Sequence, residues 1–110
     1  MAAKFETYLD KAGEHRFRLK AGNGEIILSS QGYNANAGCA NGIESVRKHA
    51  SDDANYEKKQ GDSGKFSFNL KSSNHQVIGT SQSYRSASGR DNGIESVKKN
   101  APDAGIEEQT

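Results

Sequence analysis

Two stretches of the chain alternate apolar and polar residues with the period of a half-buried β-strand. Phe17 and Leu19 alternate with basic residues in the first, and Phe66, Phe68 and Leu70 alternate with polar residues in the second. Successive side chains of a strand point to opposite faces of a sheet, so each stretch predicts a strand with one buried face. The segments EIILSS and QVIGTS follow after short turns and predict the return strand of a hairpin.

The turns of these hairpins carry different signals. Asn23-Gly24 in the first half is a strong signal for a tight hairpin turn. The second half reads SSNH, where Asn74 tolerates the left-handed backbone conformation better than most residues. We therefore expect a hairpin in both halves.

The apolar period changes after Tyr33 and Tyr84. Cys39, Ile43, Val46 and Ala50 recur at intervals of four, three and four residues, and the second half repeats this spacing. The pattern predicts helices over residues 35–49 and 86–100. In the second half, Ser86 is the expected N-cap, and Pro102 is expected to end the helix.

The motif NGIESV occurs in both predicted helices and includes a glycine at position 42 or 93. An internal glycine costs about 1 kcal/mol relative to alanine, so we expect Gly42 and Gly93, with Gly38 and Gly89, to allow close approach of the helix to the sheet. An alternative is that the first helix begins at Asn41, with Glu44 completing a capping box.

An internal repeat organises the whole chain. At an offset of 51 residues, positions 17–50 align with 68–101 without a gap, and 17 of the 34 positions are identical. Short strand-like echoes stand before, between and after the two copies: Phe5-Glu6, Tyr56-Glu57 and Ile106-Glu107. Each unit therefore reads strand, strand, strand, helix, strand, with Tyr56-Glu57 ending one unit and starting the next.

Units of about 50 residues bury too little apolar surface to be stable alone, so we expect the two copies to share one core. The predicted fold is α+β, with two β3-α-β repeats in one mostly antiparallel sheet and two helices on one face, related by a pseudo-twofold axis. The chain is then one domain of two repeats, about residues 4–55 and 56–108. The segment KKQGDSGK is a polar hairpin loop within it.

The two units resemble the YegP-like family of small bacterial proteins of unknown function. The resemblance rests on RFRLKAGNGEIILSS with NGIESVRKHA in one unit, and FNLKSSNHQVIGTSQ with NGIESVKKNAPDA in the other. It implies tandem β3-α-β units joined in one sheet with exchanged C-terminal strands, and it implies no activity. Ala35 departs from the pattern, because it stands where Ser86 provides a cap in the second unit.

The amino-acid composition alone does not decide whether the chain folds, so the pattern of apolar residues has to decide it. Leu, Ile, Val and Phe supply 17 of 110 residues, which is below the roughly 20% under which disorder is considered. However, 15 basic and 14 acidic side chains leave a net charge of only +1, whereas disorder is favoured by a large net charge. The near-neutral charge also removes the usual expectation of a nucleic-acid or anionic-membrane binder. With no apolar run of signal-peptide or membrane length, we expect a soluble, cytoplasmic, monomeric protein.

Candidate catalytic residues are not repeated between the units. At the offset of 51, His15, His49 and His75 align with phenylalanine, asparagine and glycine, which favours exposed or turn histidines. Cys39 lies on the apolar stripe of its helix, where a free cysteine acts as a small hydrophobe. Glu44 and Glu95 are expected to pair with Lys48 and Lys99. The sequence thus predicts no catalytic residue, no cofactor and no metal site.

The sheet face away from the helices is the candidate binding surface. If the apolar strand residues face the helices, the opposite face carries Ile27, Ile78 and five basic residues: Arg16, Arg18, Lys20, Lys65 and Lys71. Such a face would suit an acidic protein or a weakly bound nucleic acid, but it lacks paired aromatic residues on which bases stack. We expect a non-enzymatic interaction module with an unknown ligand. The alternatives are an enzyme with a composite site at the junction of the repeats, and weak nucleic-acid binding through this face.

Overall fold

The computed structural model describes residues 3–61, 63–73 and 75–108. Within them the chain forms β1 (Lys4–Leu9), β2 (His15–Lys20), β3 (Ile26–Ser29), α1 (Asn36–His49), β4 (Tyr56–Gln60), β5 (Phe66–Lys71), β6 (Val77–Thr80), α2 (Ala87–Asn100) and β7 (Gly105–Glu108). Short 3-10 helices precede β4 (Asp53–Asn55) and β7 (Ala101–Asp103). The predicted order of strands and helices is confirmed.

All seven described strands lie in one sheet, in the order β4-β5-β6-β3-β2-β1-β7. The pairings are antiparallel except that β7 runs parallel to β1. The two halves meet in the middle of the sheet, where Ser29 of β3 pairs with Thr80 of β6. The predicted mostly antiparallel α+β fold is therefore confirmed.

Both helices and one face of the sheet contribute to a single apolar core. Its fully buried side chains include Phe5, Phe17, Leu19, Phe68 and Leu70 from the strands, Ile43 and Val46 from α1, and Val97 from α2. Burying each such side chain contributes about 1.5–3 kcal/mol. The shared core expected from the short repeats is present.

The helices begin where the apolar spacing places them. In α2, the Ser86 hydroxyl accepts a hydrogen bond from the Gly89 N–H at 3.0 Å, whereas Ala35 leaves α1 without a side-chain cap. Because α1 already includes the residues from Asn36 onward, the alternative start at Asn41 is wrong. In the described part of the chain, no helix is both long and apolar enough to span a membrane.

Aromatic rings explain the glycines of the NGIESV motifs. A Cβ atom on Gly42 would lie 2.6 Å from the Tyr33 hydroxyl and 2.9 Å from the Phe17 ring, and one on Gly93 would collide with the Tyr84 hydroxyl. Tyr33 stacks on Phe17 with ring centroids 6.4 Å apart. The glycines thus allow the predicted close packing of helix and sheet, with a tyrosine ring lying between the two.

The hairpin turns follow the backbone requirements of their residues. Gly24 has φ +86°, which confirms the turn predicted at Asn23-Gly24. Asn74 lies outside the described residues, and the neighbouring His75 has φ +68° at the position equivalent to Gly24. His75 is therefore a turn histidine, as expected.

Two isoleucines lie on the other side of the sheet from the one predicted. Ile27 and Ile78 are 3% and 8% exposed and belong to the core, so their placement on the open face is wrong. The register between β2 and β3 shifts between Leu19 and Lys20, and the same shift occurs between β5 and β6. An extra residue in one strand interrupts the alternation of faces, and this brings the isoleucines to the core side.

The helix carboxylates pair with other partners than expected. Glu44 contacts Arg47 at 2.6 Å, and Glu95 contacts Lys98 at 3.6 Å. Both are pairs at a spacing of three residues, so the prediction of pairs with Lys48 and Lys99 is wrong. Residues three and four apart both neighbour each other on a helix, and spacing alone does not choose between them.

Candidate functional site

Four of the five basic residues predicted for binding lie on strands of the sheet, and the fifth lies in a loop. Arg16, Arg18 and Lys20 lie on β2 and Lys71 ends β5, while Lys65 is exposed in the loop between β4 and β5. The first four each contact a carboxylate, and these contacts define the charge of the open face.

Glu6 of β1 forms the centre of this charge network. Its side chain is 5% exposed and contacts Arg18 at 2.8 Å and Lys20 at 3.1 Å. Burial alone would raise the pKa of Glu6, but hydrogen bonds from Arg18 and Lys20 outweigh it and lower the pKa below its ordinary value. The carboxylate is therefore held ionised and neutralises part of the basic surface.

The remaining basic strand residues are also paired. Lys71 donates to Glu57 at 3.0 Å, and Arg16 donates to Asp10 at 2.6 Å. The hydrogen bond from Lys71 lowers the pKa of Glu57, and the one from Arg16 lowers the pKa of Asp10. A phosphate group approaching this face would have to compete with carboxylates that are already bound.

Sequence reasoning missed Glu6 and Glu57 as members of this face. The sequence did contain a signal, because Phe5-Glu6 and Tyr56-Glu57 repeat the same pattern of an aromatic residue followed by a glutamate. This repeat indicated two strands, but it did not give the register in which they pair with their neighbours. In the structure Glu6 stands directly opposite Arg18, and Glu57 stands opposite Asn69. Opposite residues of antiparallel strands share a face, which is why these carboxylates meet the polar residues of the next strand.

A cavity of about 340 Å³ lies at the junction of the two repeats. It is lined by Gln31, Tyr33, Gly38, Asn41, Gly42, Ser45, Ser72, Ser73, Gln76, Val77 and Ile78. Among the described residues of this lining, Tyr33 is the one titratable side chain, and burial raises its pKa, which keeps the hydroxyl protonated. These described residues offer hydrogen-bonding groups but no acid–base pair.

His49 lies at the end of α1, next to this cavity. Its Nδ1 donates to the Ser45 carbonyl oxygen at 2.8 Å, and its Nε2 accepts from the Ser73 N–H at 3.3 Å. Both ring nitrogens are thus occupied by backbone groups. His49 consequently joins the two repeats and is not positioned as a base for the Ser45 hydroxyl.

Cys39 occupies the core position predicted for it. It is fully buried in α1, and burial raises the pKa of its thiol. Because the thiolate is the reactive form, this environment disfavours nucleophilic chemistry.

The open end of the sheet at β4 forms a groove with α2. The groove has a volume of about 460 Å³ and is lined by Asp53, Tyr56, Lys58, Asp91, Ile94 and Glu95. Lys58 contacts Asp91 across it at 3.2 Å. The Tyr56 hydroxyl donates to the Ala50 carbonyl oxygen at 2.6 Å, and burial raises its pKa, so it is not a nucleophile.

The opposite end of the sheet is covered by the chain itself. There β7 pairs in parallel with β1, with Ile106 beside Phe5. The Lys4 ammonium group binds Glu107 at 2.8 Å, and Arg47 donates to the Ala104 carbonyl oxygen at 2.5 Å. At the offset of 51, Phe5 corresponds to Tyr56 of β4. Among the described residues β4 pairs only with β5, so its outer edge lacks the strand that β1 has.

Comparison with known proteins gives relatives along the full length. The chain is 62% identical over 108 residues to the "UPF0339 protein in ptx operon 5'region" of Stutzerimonas stutzeri, covering 98% of this chain and 97% of the relative. It is 46% identical to the UPF0339 protein YegP of Escherichia coli strain K12, covering 100% of both chains.

Two solution NMR structures share the fold. One is the E. coli yegP protein of unknown function, with TM-score 0.94, 45% identity, and coverage of 100% of this chain and 95% of that one. The other is a UPF0339 protein of Shewanella oneidensis, with TM-score 0.92, 44% identity, and coverage of 98% and 92%. The family described as "Domain of unknown function (DUF1508)" matches residues 10–57 and again 62–108. The chain therefore belongs to the DUF1508 (UPF0339) family and contains two of its repeats.

Proposed function

We propose that the protein is a non-enzymatic interaction module that binds a protein partner at the β4 end of its sheet. The observation that carries the proposal is the exposed outer edge of β4, which borders the groove against α2. An unpaired strand edge offers backbone N–H and C=O groups to a further strand, and extended peptides bind to proteins in this way.

The chemistry of the two cavities supports binding more than catalysis. In the groove at β4, the described acidic residues each contact a lysine: Asp53 and Glu95 contact Lys98, and Asp91 contacts Lys58. The cavity at the repeat junction has Tyr33 as its titratable group. An enzyme with a composite site would need at least two titratable groups with suitable pKa values in one pocket. Nucleic-acid binding is likewise less well supported, because Arg16, Arg18, Lys20 and Lys71 are bound to carboxylates.

The proposal takes the chain as a monomeric, cytoplasmic, single-domain protein of two repeats, residues 4–55 and 56–108, related by a pseudo-twofold axis. Matching contacts support the axis: Phe17 stacks on Tyr33 and Phe68 stacks on Tyr84, with both centroid distances 6.4 Å. Exchange of the last strands is supported by the pairing of β4 with β5 and of β7 with β1.

A random peptide library selected on the immobilised protein tests the proposal. Enriched peptides are then measured on a variant carrying Lys58→Glu and Lys59→Glu, with Lys11→Glu and Lys48→Glu as a control of the same charge change. We expect peptides that bind the wild type and the control but bind the β4 variant at least severalfold more weakly. Failure to enrich any peptide, or equal binding to all three proteins, would contradict the proposal.

A further inference from the structure

We infer that the outer edge of β4 binds an acidic, extended segment of a partner protein as a parallel strand. The segment places an apolar residue over the groove beside Tyr56, and the acidic residues that follow it lie within reach of Lys58 and Lys59. This inference rests on the proposed function and specifies the chemistry of its ligand.

The direction of the added strand follows from the other end of the sheet. There β7 binds the outer edge of β1 in parallel, in the register Phe5 to Ile106 and Glu6 to Glu107. β4 stands at the equivalent place in the second repeat, because it is antiparallel to β5 as β1 is to β2. A strand added to β4 in the same manner runs parallel to it.

The register of β7 also predicts which side chain enters the groove. Opposite residues of neighbouring strands share a face of the sheet, so the residue opposite Tyr56 points toward the helix side. Ile106 has this position opposite Phe5. In the groove, Tyr56 and Ile94 provide the apolar wall for such a residue.

The charge of the β4 edge selects an acidic partner. The side chain of Lys58 is 52% exposed and contacts Asp91 at 3.2 Å, and that of Lys59 is 54% exposed with a longer contact to Glu57 at 3.9 Å. Both ion pairs are exposed to solvent, where such pairs are weak and a bound acidic strand can replace them. Lysines on an edge strand deter pairing with neutral or basic strands, and they leave acidic strands as acceptable partners. β7 itself has this chemistry, since Glu107 binds Lys4 of its host strand at 2.8 Å.

A second copy of the chain fits the edge less well. In an antiparallel pair of β4 strands centred on Lys58, each Glu57 would face a Lys59, but the two Lys58 side chains would face each other, and like charges on facing strands are destabilising. For β7 of a second copy to occupy the site, it would have to leave β1 and lose its contacts through Glu107 and Ala104. The occupant is therefore a segment of another protein that resembles β7 in pattern.

The sequence of residues 101–108, APDAGIEE, supplies a defined probe. A fluorescent peptide of this sequence is titrated into the full chain by anisotropy, and amide shifts are recorded by NMR with the unlabelled peptide. The control peptides carry lysine in place of both terminal glutamates, or Ile106→Pro, which removes a backbone donor. The protein variants are Lys58→Glu with Lys59→Glu, and the matched control Lys11→Glu with Lys48→Glu.

We expect saturable binding that shifts the amides of Tyr56–Gln60, with binding about tenfold weaker in the β4 variant and unchanged in the control variant. No binding up to about 1 mM peptide, shifts confined to Lys4–Leu9, or equal binding of the lysine peptide would overturn the inference. Sedimentation of the chain alone is measured as well, and self-association abolished by the β4 variant would assign the edge to a second copy instead. If library peptides of different chemistry bind at β4 while this peptide fails, the proposed function stands and only the ligand assignment falls.

Discussion

The two ends of the sheet contain equivalent strands in different surroundings. At one end β1 is paired on both sides, by β2 and β7, and Phe5 is fully buried. At the other end β4 has β5 on one side, and Tyr56 lines an open groove. The difference lies in what covers each strand, since both follow the same pattern of an aromatic residue and a glutamate.

This contrast follows from how the repeats are joined. β4 follows α1 as the last strand of one unit and precedes β5 as the first strand of the next. Two units of four strands that share one strand form seven strands, and the place equivalent to that of β7 is left without an occupant. The junction of a tandem repeat can thus leave an open strand edge without any new residue.

The largest difference between the two ends is expected in the stability that is lost when the aromatic residue of each strand is replaced by alanine. Phe5→Ala removes a fully buried ring from under Arg47 and should destabilise the protein by about 3–5 kcal/mol. Tyr56→Ala removes a partly exposed ring and should cost roughly half as much. Urea unfolding of both variants measures the difference, and equal losses would contradict the unequal cover of the two strands.

Deleting residues 105–110 should make the two ends alike. Four residue pairs between β1 and β7 are lost, and at about 1 kcal/mol for each backbone hydrogen bond the stability should fall by about 2–4 kcal/mol. The peptide APDAGIEE, added in trans, should then also shift the amides of Lys4–Leu9. A truncated chain as stable as the full one would show that β7 does not cover β1 in solution.

The two glutamates should differ in their contribution to stability. Glu6 is almost buried among Arg18 and Lys20, and Glu6→Gln should cost about 1–3 kcal/mol at neutral pH. Glu57→Gln is the matched control, and it should cost less because Glu57 is 41% exposed.

Acid titration separates the charge effect of Glu6 from its packing. The folded-state pKa of Glu6 lies below the ordinary value of 4.5, so its contribution is complete above that value and is lost as the pH falls through the lowered pKa. The gap in unfolding free energy between wild type and Glu6→Gln should therefore narrow in acid. A gap that stays constant down to pH 2 would exclude the ion pairs as its cause.

The smallest effect is expected for the lysines of the open edge. Lys58→Glu with Lys59→Glu alters exposed side chains and removes their ion pairs with Asp91 and Glu57, and the stability should fall by no more than about 1 kcal/mol. Thermal unfolding checks this. A larger loss would mean that the β4 lysines stabilise the fold, and the variant would then no longer separate binding from folding.

Much of the fold could be predicted from apolar spacing and from the internal repeat. The change of period after Tyr33 located both helices, and the aligned copies gave the order of strands. The side of the sheet occupied by Ile27 and Ile78 could not be read, because a register shift is a property of two strands and leaves no mark on the alternation of one.

The candidate site was harder to predict than the fold. The basic residues of β2 were identified, but the carboxylate of Glu6 that binds them comes from another strand whose register the sequence does not give. The groove at β4 was missed because it depends on a strand position that stays open. Such a feature appears only when Tyr56 and Phe5 are compared in their three-dimensional surroundings.

Among the described residues, β1 is covered on both edges and β4 on only one. Amide hydrogen exchange of the two strands, followed by NMR in one sample, tests this difference most directly. The account predicts slow exchange from Lys4 to Thr7 of β1, where both edges are paired, and alternating slow and fast exchange along β4, where only the amides facing β5 are bonded. Uniformly slow exchange along both strands would contradict it, because the outer edge of β4 would then already be covered.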